Sequence, residues 1–269
     1  MPTKAPSPGV SAPIPAERQA NGDGAIERNS VTTDNPEALA ARLAMARLSG
    51  STIDFPVLTL AQGTDIARRL ARHLGPVIGW KIGATSAGAM AFLKVGRPIH
   101  GRLFNAWQDG AAIRFPGDRP VEVEPEILFT LGPDLQPQSV RFGIEFNRPS
   151  FANPFTLGAG SIVADNAASL GVLLGPVIPL ATLDDPAALV ASLDIDGQRV
   201  ATGSADAVLG NPRTALAALQ TALASDPRGL QPGDIIASGA MSRSALLSPG
   251  QSLRIDAGPW GSAVAQWAA

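Results

Sequence analysis

Val121-Glu122-Val123-Glu124-Pro125-Glu126-Ile127-Leu128-Phe129 alternates apolar and acidic residues and ends in β-formers, the pattern of a β-strand. Side chains on a strand change face at every residue. Glu122, Glu124 and Glu126 therefore share one face. Val121, Val123, Pro125, Ile127 and Phe129 share the other, the face suited to a core. Three carboxylates in a row repel one another, and more strongly where the dielectric is low. Either water bathes them or something positive sits over them. Hard oxygen ligands on one rigid face suit Mg²⁺, Mn²⁺ or Ca²⁺. A solvated acidic face on an edge strand is the competing reading, and Pro125 is at home on an edge. Taken alone, the stretch favours the solvated edge.

The surrounding chain narrows the possibilities. Its 269 residues suffice for one large domain, or a large and a small one. Hydrophobic residues make up 45% and charged residues 16%, which supports a substantial core. A net charge of −2 without any basic block argues against nucleic acid as a partner. The absence of Cys excludes disulfides, thiolate nucleophiles, zinc–thiolate sites and iron–sulfur clusters. It is also compatible with a cytoplasmic location. His73 and His100 are the only histidines, too few for a multi-histidine metal site. No apolar run reaches the length of a membrane span, and Met1 to about Arg18 lacks the apolar centre of a secretory signal.

Three segments are expected. Residues 1–33 are rich in Pro, Ala, Ser, Gly and Asn and predict a disordered tail. Residues 34–76 predict a small helical N-terminal module. Its first helix is capped by Asp34 or Asn35 and carries the stripe Leu39, Leu43 and Leu48; its second spans about Leu60 to His73 and is ended by Gly75-Pro76. Residues 77–269 predict short strands: Val77–Gly83, the acidic stretch, a strand within Ser161–Ser169, a hairpin turning at Asp196-Gly197, Gly233–Gly239 and a final pair. A helix is expected over 84–94 and another after Asn211-Pro212, while Asn153 to Gly160 reads as an irregular loop. Many strands, few helices and no strict β-α alternation predict an α+β fold, a mixed β-roll or barrel that would form the catalytic domain.

Several residues interrupt these patterns in ways that bear on chemistry. Lys81 sits inside the apolar strand Gly79-Trp80-Lys81-Ile82-Gly83, so it either snorkels at a strand end or is held in a cleft. In a cleft, burial would lower its pKa and carboxylates would raise it. Thr85 and Ser86 lie on a turn that offers backbone N–H groups to an anion. Glu145 stands between bulky apolar neighbours, on the wet face of a strand or as a ligand. Asp165-Asn166 fits a buried turn network first and a substrate contact second. Ser238 is near a loop that follows a strand, a common place for ligand contacts. No dinucleotide fingerprint, Walker loop or nucleophile elbow is present. His100 is a candidate acid or base, although a lone His is more often structural.

Read together, Gly79–Ser86, Pro98–Leu103, Val123–Ile127, Ala164–Ser169, Val208–Pro212, Gly233–Ala240 and Ser248–Gly250 resemble, in that order, the hydratase/decarboxylase branch of the fumarylacetoacetate hydrolase superfamily. The resemblance runs from about residue 36 to the C-terminus. It implies Glu124, Glu126 and Glu145 as ligands of Mg²⁺ or Mn²⁺, with Glu122 a neighbour, and it implies Lys81 as the catalytic lysine beside the substrate carboxylate. Thr85, Ser86, Asp165, Asn166 and Ser238 become candidate substrate-binding residues. The implied reaction is hydration of a small 2-oxo acid of the 2-hydroxypenta-2,4-dienoate type in aromatic catabolism. Decarboxylation or C–C hydrolysis on the same scaffold is the alternative, and a non-catalytic partner subunit is the reading from another class. A homo-oligomer is implied, with a partner enzyme of the same pathway as a further associate and with neither nucleic acid nor membrane. Two departures stand out. Ile99 occupies the position where these hydratases carry an Asp, and the segment from Glu126 to Glu145 is shorter than usual.

Overall fold

In the computed structural model, which describes residues 35–268, the acidic stretch runs through the interior of a sheet. The tail expected over 1–33 lies outside the described residues. In chain order the elements are α1 (Pro36–Ser49), α2 (Leu60–Leu74), β1 (Gly79–Gly83), α3 (Ala87–Leu93), β2 (Ile99–Leu103), β3 (Ala106–Trp107), β4 (Ala111–Ile113), β5 (Val121–Leu131) and β6 (Pro137–Asn147). They continue with α4 (Pro154–Ala164), β7 (Ser169–Ile178), β8 (Val190–Ile195), β9 (Gln198–Ser204), α5 (Pro212–Ala222), β10 (Ile235–Ala240), β11 (Ala245–Leu247), β12 (Ser252–Asp256) and β13 (Ser262–Trp267).

One sheet has the order β2-β1-β10-β5-β6-β7-β3, with β11 also paired to β5; the other has the order β4-β13-β12-β8-β9. The sheets mix parallel pairs, such as β1 with β10, and antiparallel ones, such as β5 with β6. Their shared core includes Trp80, Ile127, Phe129, Phe142 and Ile144 from the first sheet and Leu193, Ile255 and Trp267 from the second. This is the mixed α+β roll that the strand pattern predicts. Val121, Val123, Ile127 and Phe129 all face that core, as the alternation requires.

The edge reading of Pro125 is overturned, for a local reason. β5 is flanked by β6 on one side and by β10 and β11 on the other. The Pro125 carbonyl accepts from Met241 N at 2.9 Å, and the pairing register shifts between Ala237 and Ala240. A strand residue points its N–H and C=O to the same side. The N–H that Pro125 lacks would therefore meet the break between β10 and β11, where a proline does least harm.

The helices follow their caps. Asn35 accepts from Glu37 N at the start of α1, and Thr59 and Gln62 form a capping box on α2. Leu39 and Leu43 are buried, but Leu48 is exposed because a spacing of five turns it off the stripe. These helices share a hydrophobic cluster with Phe55, Phe151 and Ala164. Two expectations fail in one place. Asn153 to Gly160 is largely helical, and Ser161–Ala164 completes the same helix, so the strand begins only at Ser169. α4 kinks at Gly158, whose φ is 77°. Its backbone reaches α2 through two glycines: a Cβ on Gly63 would lie 2.0 Å from the Gly160 carbonyl oxygen. Close packing thus stabilises a glycine-rich segment whose own helix propensity is poor.

Candidate metal centre

The β5–β6 hairpin assembles the acidic cluster. Its register places Glu124 opposite Glu145, Glu122 opposite Asn147 and Glu126 opposite Gly143. With a period of two, all of these project from the face opposite the core. Carboxylate oxygens of Glu124, Glu126 and Glu145 lie within 4.8 Å of one another. β1 supplies the counter-charge: Trp80 and Ile82 point into the core, and Lys81 points to the acidic face, with Nζ 3.1 Å from Glu145 Oε2. Lys81 is buried, so the cleft reading holds and snorkelling does not.

Burial and mutual repulsion act together on the carboxyls of the cluster, with Lys81 opposing them. Burial pushes the Glu124 carboxyl up to about 7, with Glu145 adding repulsion and Lys81 opposing the rise. Glu126 is raised well above the usual carboxylate range by burial and then by Glu145. Glu122 is raised by burial, with Lys81 opposing. For Lys81, burial favours the neutral amine, but the facing carboxylates, Glu145 first, together outweigh it and raise the pKa. Asn147 Nδ2 donates to Glu145 Oε2 at 3.1 Å and to Glu124 Oε2 at 3.3 Å, and Gly239 N donates to Glu126 Oε2 at 2.9 Å. These bonds fix one oxygen of each carboxylate. Glu126 Oε1 and Glu145 Oε1 remain buried with no hydrogen-bond partner. Buried polar atoms without partners are uncommon. Orphaned carboxylate oxygens on converging side chains suit a hard divalent cation.

A cavity of about 240 Å³ opens from this cluster and is lined by Lys81, Glu122, Glu124, Asn147, Ile99 and Asp165 among others. Asp165 lies in its wall, but the carboxylate is engaged elsewhere: Ser150 N donates to it at 2.6 Å and Arg47 Nη1 at 2.9 Å. Asn166 clamps β2 by accepting from Arg102 N at 2.6 Å and donating to Arg102 O at 2.7 Å. The pair therefore forms the buried network. Asn166, Ala167 and Ala168 all have positive φ, so one left-handed turn holds that wall in place. Ser86 is exposed and caps α3, accepting from Ala89 N at 3.1 Å. Thr85 is buried against Gly239, the residue whose N–H holds Glu126. Ser238 is fully buried with its hydroxyl unpartnered. His100 packs edge-on to Trp80, and burial followed by Arg102 lowers its pKa to about 4. It does not line the cavity, whereas its neighbour Ile99 does.

Asn147, Gly239 and the cavity-lining position of Glu122 escape a reading of the sequence alone. Asn147 was within reach, because it stands two residues from Glu145 and so on the same face. The Gly239 contact depends on long-range pairing that no local pattern reveals.

The fumarylacetoacetate hydrolase C-terminal family model matches residues 156–266, which begin downstream of the three glutamates. A 2-keto-4-pentenoate hydratase of Burkholderia vietnamiensis is 30% identical over 235 residues, covering 78% of this chain and 89% of the relative. The chain belongs to the fumarylacetoacetate hydrolase family. A second family member, a 4-oxalocrotonate decarboxylase of a Pseudomonas species, is 29% identical over 236 residues, 82% of this chain and 90% of the relative. Among solved structures of the family, the 4-oxalocrotonate decarboxylase of Pseudomonas putida G7, complexed with calcium and acetate, superposes with a TM-score of 0.78 at 25% identity. It covers 88% of this chain and 99% of its own. The same enzyme has been solved with magnesium and adipate.

Proposed function

We propose that this protein is a divalent-metal-dependent lyase that hydrates a small 2-oxo acid of the 2-hydroxypenta-2,4-dienoate type. The observation that carries the reading is the trio Glu124, Glu126 and Glu145, which converge with two buried carboxylate oxygens unpartnered and Lys81 alongside. These three would hold Mg²⁺ or Mn²⁺, an assignment supported by the calcium and magnesium in the structures of the similar decarboxylase. The ion, when bound, supplies Lewis acidity toward the 2-oxo acid.

The chain's own residues do the rest. Lys81 is the cation available to the substrate carboxylate, and its ammonium can deliver a proton to a reacting carbon. Asn147 and Gly239 N–H keep the glutamates oriented. Glu122, partly exposed on the cavity wall and with its pKa raised by burial, is placed to exchange a proton with an attacking water. Ile99, an apolar residue, fills the neighbouring wall, so proton transfer falls to Lys81 and Glu122.

Decarboxylation is the second reading, favoured by the similarity to 4-oxalocrotonate decarboxylase. Metal titration followed by assays on 2-hydroxypenta-2,4-dienoate and on 4-oxalocrotonate separates the two. Metal binding with no turnover of any 2-oxo acid would favour a non-catalytic partner subunit instead. Glu124→Ala or Glu126→Ala should weaken metal binding at least about a hundredfold; unchanged affinity would overturn the ligand assignment. The wider reading includes a cytoplasmic homo-oligomer, checked by cell fractionation and sedimentation velocity. No helix among the described residues is long and apolar enough to cross a membrane.

A further inference from the structure

The cavity above the carboxylates has two unlike ends. Its buried end carries Lys81, Glu124 and Asn147, and Lys81 is the one cation among the described residues that line it. The outer wall is apolar, with Ile99 and Ile162 leading to Phe92 of α3 and Phe155 of α4. Those two rings meet edge to face, 5.2 Å between centroids and inclined at 67°. They are nonetheless 65% and 59% exposed, among the most exposed large apolar side chains in the described chain. Exposed aromatics paired at the rim of an apolar cavity are placed to cover something apolar.

We infer that the substrate is a monocarboxylic 2-oxo acid, or its enol, with an apolar substituent beyond the reacting carbons, and that Phe92 and Phe155 grip that substituent. This rests on the metal-assisted 2-oxo acid reading above and adds the character of the far end. Each methylene buried on this wall tightens binding by up to about fourfold. A second carboxylate there would lose water without gaining a cation. The other charged groups among the described residues lining the cavity, Glu122, Glu124 and Asp165, are negative, and Asp165 is already paired with Arg47. A diacid is therefore rejected by the same wall that attracts an alkyl or alkenyl tail.

Calorimetric titration of the full-length protein with saturating Mg²⁺ tests this, using pyruvate, 2-oxohexanoate and 2-oxohexanedioate as ligands that do not turn over by hydration. 2-Oxohexanoate should bind at least about tenfold more tightly than pyruvate, and 2-oxohexanedioate no more tightly than pyruvate. Phe155→Arg, at an exposed position where folding is tolerant, should shift the ratio of diacid to monoacid affinity at least about tenfold toward the diacid. If wild type binds the diacid as tightly as 2-oxohexanoate, or gains nothing from the tail, the inference is wrong while the 2-oxo acid reading stands. If pyruvate itself fails to bind the Mg²⁺-loaded protein, the underlying reading falls and this one falls with it.

Discussion

Glu124 shows what a single side chain does in this cluster. Its carboxyl is raised to about 7 in the folded protein from an ordinary value of 4.5, by burial first and Glu145 next. Between those values the native state holds a proton that the unfolded chain has released. The neutral carboxyl is thus accommodated fully below about 4.5, and that contribution to stability is lost as pH rises through 7. In the absence of divalent ions, Glu124→Gln and wild type should melt together near pH 5, and the variant should melt higher above pH 7. A gap independent of pH would contradict the assignment. A cation must also displace that proton, so Mg²⁺ affinity should climb as pH rises through about 7. Lys81 makes a complementary prediction. Its ammonium touches Glu145 but supplies no metal ligand. Lys81→Met should therefore retain Mg²⁺ binding by calorimetry while lowering kcat by about a hundredfold or more. An unaffected rate would leave the lysine only its ion pair.

At the scale of elements, the site is a hairpin face braced by a neighbouring strand. β5 and β6 bring the three glutamates together by register, and β10 steadies Glu126 through Gly239 N–H. Gly239 has φ 115°, and a Cβ there would lie 2.2 Å from Thr85 Oγ1. Gly239→Ala should cost about 1–3 kcal/mol in urea unfolding and weaken Mg²⁺ binding as well, because the N–H that fixes Glu126 moves. A loss of stability with no change in metal affinity would separate the glycine from the site. The same scale shows what the sequence could reveal. The alternation in Val121–Phe129, the Asp196-Gly197 turn and the caps at Asn35 and Asn211 are local signals, and the elements that they specify are present. α4 was hidden because Gly158 and Gly160 speak against a helix, and only the close approach of α2 reverses that. Pro125 misled for a similar reason: its tolerance in an interior strand depends on a break between β10 and β11, more than a hundred residues away.

Across the whole molecule, one ionic network ties the N-terminal helices to the cavity. Arg47 of α1 donates to the Asp165 carboxylate and to the Asp165 and Ser169 carbonyls, while Ser150 N and Oγ donate to the same carboxylate. Both charged side chains are almost completely buried, 6% and 1% exposed. The helical cluster around Leu43 and Phe151 therefore meets the site wall through a buried ion pair as well as through apolar packing. Removing one partner of such a pair leaves the other charge without compensation in a low-dielectric setting, at a cost of about 3–5 kcal/mol. Asp165→Asn should lower the unfolding free energy measured in urea by that amount while changing the affinity for Mg²⁺ and for pyruvate little, because the carboxylate is spent on Arg47 and Ser150. Arg47→Met should be destabilising too, and the double variant should cost much less than the sum, the signature of two groups acting as one. Weakened pyruvate binding in an Asp165→Asn protein of undiminished stability would instead return Asp165 to the substrate-binding set that its place in the sequence motif suggests.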